Sequence, residues 1–500
     1  MQMTKKPNVL LITVDSLRAD AIDLSDQNSS TPNIRRLVEK GVFFTQAFSN
    51  GPRTPSSFPA ILASVYPFVS GEIGLPEGLK TWAEAMREIG YATAGFNPDN
   101  PYLTVESGYS RGFDHFVDFW SDKTSVNPKP AGAVSRWKKS IQDSIGKRSL
   151  AALLFVQALR SRTHVQYASG ETITDTAIEW IRGHRSKPFF CWIHYMDVHF
   201  PYLSEKNPTF PELFRYPAAF VLSMLKLNRL PARWMRILYT RKVNLIDDLI
   251  GRWIESLSAF GMDRETLILF TSDHGERFGE NGEFTHGPDL CDTLLRVPLI
   301  VSGPGCPENL TCSDQSELSD PSMREPTRNG HFQSPEPEAR NLGPAAISGQ
   351  VALIDLAPSI FDFLGHPPPS GFQGKSFVPL ITGHSTEGRE YVFSETTHNG
   401  SRQSRGMIAG KFKMVSCRGR GWKYIYDEEA NREQLFDMNR DPAERENLLR
   451  DRPDLAEEFR QRVKKHLEEI EAVSGRYQYR SNRREDSALL RERLARLGYL

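Results

Sequence analysis

The chain has 500 residues, with 62 Lys plus Arg against 62 Asp plus Glu, so its formal net charge is zero. That balance removes the global field on which attraction to nucleic acid depends, and no nucleic-acid partner is expected. The length suits one large domain with a smaller one appended, and Cys191, Cys291, Cys306, Cys312 and Cys417 lack the paired short spacing of a zinc ribbon or a disulfide framework, which suits a reducing compartment.

From the amino end, Met1 to Pro7 runs straight into an apolar stretch too short to span a membrane and not followed by a small-residue cleavage site, so a cytoplasmic location is expected. Asn8 to Val14 reads as a strand and ends in Asp15. Thr31-Pro32-Asn33-Ile34 opens a helix through Val38, with Pro in an early position and Thr31 as its cap. Val42-Phe43-Phe44 reads as a strand. A turn rich in Pro and Ser, Gly51 to Ser57, leads into a helical stretch ending near Tyr66-Pro67. Ser149 to Leu159 and Phe214 to Leu238 mix apolar residues with Lys and Arg and carry almost no acid. They read as solvated helices over a core, with contact to a membrane surface or a lipid-like substrate as the alternative.

Pro188 to Tyr195 is a near-continuous apolar run of strand length that ends in Met196-Asp197-Val198-His199. Val243, Ile246, Leu249, Ile250 and Trp253 have helical spacing, and Asp247 and Asp248 on that helix read as capping or pairing groups. Leu267 to Thr271 is another strand, ending in Ser272-Asp273-His274-Gly275-Glu276. Residues 303–349 turn to Pro, Ser, Glu, Asn and Gly, the composition of a flexible surface insertion. Val351 to Leu364 resumes a helical pattern, Tyr391 to Met438 reads as short strands with turns, and Leu489, Leu490, Leu494 and Leu497 share a face of a last helix.

Alternating strands and helices predict an α/β protein. Its central sheet is mixed, mostly parallel and sandwiched by helices, spanning residues 1–385, and a smaller α+β domain with an antiparallel sheet occupies 386–500. Ligands then gather at the carboxyl ends of the strands. Asp15 and the Asp273-His274 pair are hard donors suited to one divalent cation. Thr54 stands where a helix begins, facing free backbone N–H groups that favour an anion. Its hydroxyl is a poor nucleophile alone and becomes a good one when a cation stabilises its alkoxide.

These residues resemble the sulfatase family of the alkaline phosphatase superfamily, over Asn8 to about Gly303 and from Val351 to the carboxyl end. The resemblance implies an alkaline-phosphatase-like fold and one divalent metal held by Asp15, Thr54, Asp273 and His274, with Ca or Mn favoured and Zn or Mg compatible. Counting back from Tyr66-Pro67 puts Thr54 where sulfatases carry the Cys that becomes formylglycine. His199 matches a His-x-Pro-Tyr-like segment at the ester oxygen, and His286 the position of an anion-binding Lys or His. Asp197 and Glu276 are expected to orient these groups, while His194 and His115 read as structural. The pattern departs from the family at Ser16 in place of a second Asp, and at Asn97-Pro98-Asp99-Asn100 in place of a Lys and His element. It also lacks the Arg after Pro-Ser, for which Arg53 is the candidate replacement. Arg53 and Asn100 are therefore the candidate substrate contacts.

Hydrolysis of a sulfate ester through Thr54 is the implied reaction, on a small-molecule, glycan or lipid ester. Phosphate or phosphonate ester hydrolysis, or transfer to another alcohol, is one alternative, and a catalytically silent protein binding anionic glycan or lipid is another. Asp15 and Thr54 as helix caps, and the histidines as satisfied core residues, are the bland readings the geometry has to exceed.

Overall fold

Along the first strand, apolar side chains point to both faces, which dictates a sheet covered on both sides. The computed structural model describes residues 6–24, 29–71, 74–119, 167–200, 202, 229–307, 346–398 and 412–477. Its strands are β1 Asn8–Val14, β2 Gly41–Phe44, β3 Ala47–Phe48, β4 Ala92–Asn97, β5 His115–Asp118, β6 Phe189–Tyr195, β7 Thr266–Ser272, β8 Leu299–Ser302, β9 Ala346–Ile347, β10 Val351–Ala352, β11 Val392–His398, β12 Phe412–Gly419, β13 Trp422–Asp427 and β14 Arg432–Asp437.

Eight of them form the central sheet in the order β5-β4-β6-β1-β7-β8-β2-β9. Pairings from β5 through β7 are parallel, and the antiparallel β8 makes the sheet mixed. Val9 and Leu11 of β1 join one buried cluster, and Leu10, Ile12 and Val14 the other. The first face is covered by helices Thr54–Ala63, Trp82–Glu88 and Leu356–Phe363, and the second by Pro32–Glu39, Gly170–Gly183 and Arg229–Ala259. Val243, Ile246, Leu249, Ile250 and Trp253 are all buried on the last of these, as their spacing predicts.

Strands β11 to β14 form a separate antiparallel sheet. The helix Pro453–Ser474 buries Ala456, Phe459, Val463, His466 and Ile470 against it. The terminal leucines expected to form a last helix lie outside the described residues, as do Ser149 to Leu159 and the first part of Phe214 to Leu238. No helix among the described residues is long and apolar enough to cross a membrane.

Four local expectations change. Thr31 does not cap the helix it precedes. Asp247, from the helix Arg229–Ala259, accepts from the backbone N–H groups of Asn33 at 3.2 Å and Ile34 at 2.8 Å, so a carboxylate from another element meets the orphan donors. The helix at Thr54 stops at Ala63, where Ser64 adopts a left-handed backbone (φ 49°), and Pro67–Ser70 is a separate turn. Val351 and Ala352 pair with β3 before the helical pattern starts, because the Val351 N–H is bonded to the Gln46 carbonyl. Ala346 and Ile347, inside the span expected as insertion, form an edge strand on β2, while 308–345 lie outside the described residues.

A buried ion cluster joins the antiparallel sheet to the short helix Asp292–Leu295, which precedes β8. Lys423 on β13 is fully buried and reaches Asp292 Oδ1 at 2.6 Å and Glu444 Oε1 at 2.5 Å, and Arg418 Nε lies 3.0 Å from Asp292 Oδ2. Burial would raise the Asp292 pKa, but Lys423 and Arg418 outweigh it and hold the carboxyl at about 2. Lys423→Met leaves these acids short of a counter-charge, and urea titration should show a loss of about 3–5 kcal/mol.

Candidate active site

The strands β4, β6, β1 and β7 lie side by side with their carboxyl ends on one edge. Val14 is in register with Tyr195 on one side and Ser272 on the other, so Asp15 and Asp273 leave neighbouring strands together. The Ser16 N–H donates to Asp273 Oδ1 at 3.2 Å, which ties the two strand ends to each other.

Thr54 is the first residue of its helix, after Arg53 in extended conformation. Its hydroxyl does not cap that helix. Thr54 Oγ1 lies 3.2 Å from Asp15 Oδ2 and 3.0 Å from Asp273 Oδ2. One hydroxyl proton serves only one of these oxygens at a time, and all three side chains are buried. His274 Nε2 adds a nitrogen 3.7 Å from Asp15 Oδ1 and 3.5 Å from Asp273 Oδ2, while its Nδ1 is 2.9 Å from the Gly275 carbonyl. Asn100 Nδ2 stands 3.4 Å from Asp15 Oδ2. The expected metal set therefore converges, and Asn100 reaches it.

His194, read as structural from sequence, belongs to the same cluster: its Nε2 is 3.7 Å from Asp15 Oδ2. One ligand atom each from Asp15, His194 and Asp273 lie within 4.8 Å of one another. Neither His194 Nε2 nor His274 Nε2 has a hydrogen-bond partner, although both are buried. Orphaned imidazole nitrogens facing carboxylate oxygens are what a divalent cation would satisfy, so the donors fit one. His115 remains structural, its ring stacked over Trp180 on the outer strand.

A second group stands beside the first. The rings of His199 and His286 are 5.1 Å apart between centroids, and His286 is 4.5 Å from His274. Glu276 Oε1 lies 3.6 Å from His286 Nδ1, and Glu276 Oε2 accepts from the Tyr202 hydroxyl at 2.8 Å, consistent with an orienting role. Asp197 does something else: its Oδ1 accepts from the Gly170 N–H at 3.1 Å and caps the helix Gly170–Gly183. Arg53 Nη2 donates to Thr396 Oγ1 at 2.9 Å and to the Thr397 carbonyl at 2.8 Å, so β11 braces the residue before Thr54. The same strand grips the preceding turn, with Glu395 N–H on the Asn50 carbonyl at 2.8 Å and Asn50 Nδ2 on the Phe393 carbonyl at 2.9 Å.

Three non-glycine residues here have left-handed backbones, Ser16 (φ 63°), Asp99 (φ 83°) and Thr285 (φ 62°). Each adjoins a site residue, Asp15, Asn100 or His286. Such conformations cost about 1–3 kcal/mol and persist where surrounding structure enforces them.

The charges are set by burial and by each other. Burial would raise the Asp15 pKa, but His199, His194 and His274 outweigh it and hold the carboxyl well below the usual range. Burial and the Asp15 charge push Asp273 well above it. Burial and His286 bring His274 down to about 3. Burial, with Arg53 and Arg277, brings His286 down to about 4 against the pull of Asp15.

A mixed sheet with an Asp at one strand end and an Asp-His pair at the next defines an α/β protein whose site lies at the carboxyl edge of its parallel strands. A profile of the sulfatase family matches residues 7–366, and the chain belongs to that family of sulfuric ester hydrolases. A profile for the C-terminal part of N-sulphoglucosamine sulphohydrolase matches residues 339–473. The chain is 22% identical to an arylsulfatase of Clostridium perfringens, with 92% of each covered. It is 24% identical to PehA of Trinickia caryophylli, a multifunctional alkaline phosphatase superfamily protein, over 90% of this chain and 92% of that one. The crystal structure of a phosphonate monoester hydrolase from Agrobacterium radiobacter superposes with a TM-score of 0.60 at 20% identity, over 94% of this chain and 96% of that one, and shares the fold.

One pH dependence follows for protein stripped of cations by a chelator. His286 titrates near 4 when folded and near 6.5 when unfolded, so between those values the unfolded chain binds more protons. Stability should therefore fall as pH drops from about 6.5 to about 4, and His286→Asn should flatten that slope in thermal melts.

Proposed function

We propose that the protein hydrolyses a sulfate ester through attack by Thr54, with one divalent cation held by Asp15, Thr54, Asp273 and His274. The observation that carries this is the Thr54 hydroxyl set against two buried carboxylates, at 3.2 and 3.0 Å, where a helix-capping threonine would face its own backbone. A cation bound there supplies Lewis acidity, which stabilises an alkoxide and offsets charge on an ester's oxygens.

The chain's own residues divide the remaining work. Asp15 and Asp273 hold Thr54 Oγ1 at the head of its helix, whose positive dipole end favours an anionic ester group. His199 and His286 offer ring nitrogens to the leaving oxygen. Arg53, braced by β11, places positive charge beside His286, and Asn100 provides a neutral donor. Glu276 orients His286. The first 385 residues carry all of these groups, and residues 386–500 buttress the nucleophile turn through β11.

A second reading, hydrolysis or transfer of a phosphate or phosphonate ester, is favoured by the identity of residue 54. A sulfated threonine has no second oxygen on the same carbon, so it cannot collapse by elimination and must be cleared by water attack at sulfur. A phosphothreonine is cleared by in-line attack at phosphorus more easily. The alcohol we assign is a small molecule, a glycan or a lipid, with peripheral membrane contact as the means of reaching a lipid. We place the protein in the cytoplasm, because Cys191, Cys291, Cys306 and Cys417 are buried free thiols.

Aryl sulfate, phosphate monoester, phosphate diester and phosphonate substrates should be compared with wild-type protein and Thr54→Ala. The substitution should lower turnover by at least roughly 10³-fold on the preferred ester. Turnover equal to wild type would remove Thr54 from the reaction. Independently, dialysis against a chelator should abolish turnover, and a single divalent cation should restore it.

A further inference from the structure

His194 lies one strand away from the groups already assigned, and its surroundings prescribe its protonation. Thr13 Oγ1 makes three contacts: Trp192 Nε1 at 3.0 Å, the Ile193 carbonyl at 3.1 Å and His194 Nδ1 at 3.0 Å. Indole N–H only donates and a carbonyl only accepts, while a hydroxyl has one proton and two lone pairs. A single assignment makes all three contacts hydrogen bonds. Trp192 donates to Thr13, Thr13 donates to Ile193, and the second lone pair of Thr13 receives the proton of His194 Nδ1.

In the neutral ring the other nitrogen then carries a lone pair. His194 Nε2 points that lone pair at Asp15 Oδ2 across 3.7 Å, in a position with no exposure and no hydrogen-bond partner. Two acceptors facing each other in a buried site require something positive between them, a proton at low pH or a cation. Donors sharing one cation lie at most twice the bond length apart, about 4.4 Å for Zn²⁺ and about 5 Å for Ca²⁺. The ligand atoms of Asp15, His194 and Asp273 lie within 4.8 Å of one another, so a first-row ion would draw them in by a few tenths of an ångström. The ring is also held in place, with Phe58 of the nucleophile helix packed edge-on at 5.0 Å.

We infer that His194 is a further ligand of the cation, its tautomer set by the Trp192-Thr13 relay, and that the resulting pair of imidazoles selects Mn²⁺ or Zn²⁺ over Ca²⁺. This rests on the metal reading given above. Calcium prefers an all-oxygen shell, whereas imidazole suits first-row transition ions, so each added ring nitrogen moves the preference away from Ca²⁺. Thr13 and Trp192 act as positioning residues: they hold the ring and its proton and do not touch the ion.

Calorimetric titration of chelator-stripped protein with Mn²⁺, Zn²⁺ and Ca²⁺ tests this, together with X-ray absorption of the Zn²⁺ form to count imidazoles. Wild-type protein should bind Zn²⁺ and Mn²⁺ more tightly than Ca²⁺ and show two imidazoles. His194→Gln should weaken Zn²⁺ and Mn²⁺ by roughly 10–100-fold, leave Ca²⁺ nearly unchanged and show one imidazole, and Thr13→Val should weaken Zn²⁺ by about tenfold. One imidazole in the wild-type protein, or unchanged Zn²⁺ affinity in His194→Gln, overturns the inference. The wild-type imidazole count decides the matter even if His194→Gln does not fold. Asp273→Asn separates the two levels: if it loses all three ions while His194→Gln binds normally, the metal reading stands and only His194 is wrong. Failure of wild-type protein to bind any of the three ions defeats both.

Discussion

Two buried carboxylates from adjacent strands share one threonine hydroxyl. In such a place like charges cannot both persist without compensation, and the opposite displacement of the two acids, Asp15 down and Asp273 up, expresses that conflict. The rest of the architecture enforces the crowding. Parallel strands in register bring the acids out together, a helix start supplies the hydroxyl, and imidazoles close the remaining sides. The site is polar and strained within a rigid frame, which is the arrangement expected where binding energy is stored for use on a substrate or an ion.

The frame is assembled from parts distant in the chain. Residues 8 to 15 and 266 to 274 are neighbours in space, and the turn before Thr54 is bound along its length by β11, more than 340 residues later. The C-terminal sheet is therefore part of the wall behind Thr54 and also packs against its own helix, Pro453–Ser474. The buried Lys423 cluster fastens the C-terminal sheet at a second point, to the helix Asp292–Leu295, with charge where an apolar seam would also serve.

How much of this was legible in the sequence depended on whether a signal was local. Asp15 and Asp273-His274 stood out because an apolar strand ending abruptly in hard ligands is visible within ten residues. The mixed sheet and the antiparallel C-terminal sheet followed from the same alternation of patterns, and the structure bears both out. The helix start at Thr54 follows from the turn chemistry before it. His194 reads as structural because it lies inside an apolar run, and its contact with Thr13 crosses two strands, which no local pattern carries. Asp247 capping the helix at Pro32, Arg53 reaching Thr396, and Asp197 serving as a cap were hidden for the same reason: each depends on a partner fixed only by the fold. The long helix at Pro453–Ser474 carries a regular apolar stripe, and that periodicity was the signal available for it.

The clasp of β11 on the turn at Asn50 to Arg53 has a consequence for biosynthesis. A ribosome makes the Thr54 segment early, yet the strand that shapes it emerges only after almost four-fifths of the polypeptide has been joined. Until then the Thr54 turn lacks its outer brace, so the hydrogen bonds that shape it form only once the C-terminal sheet has been made.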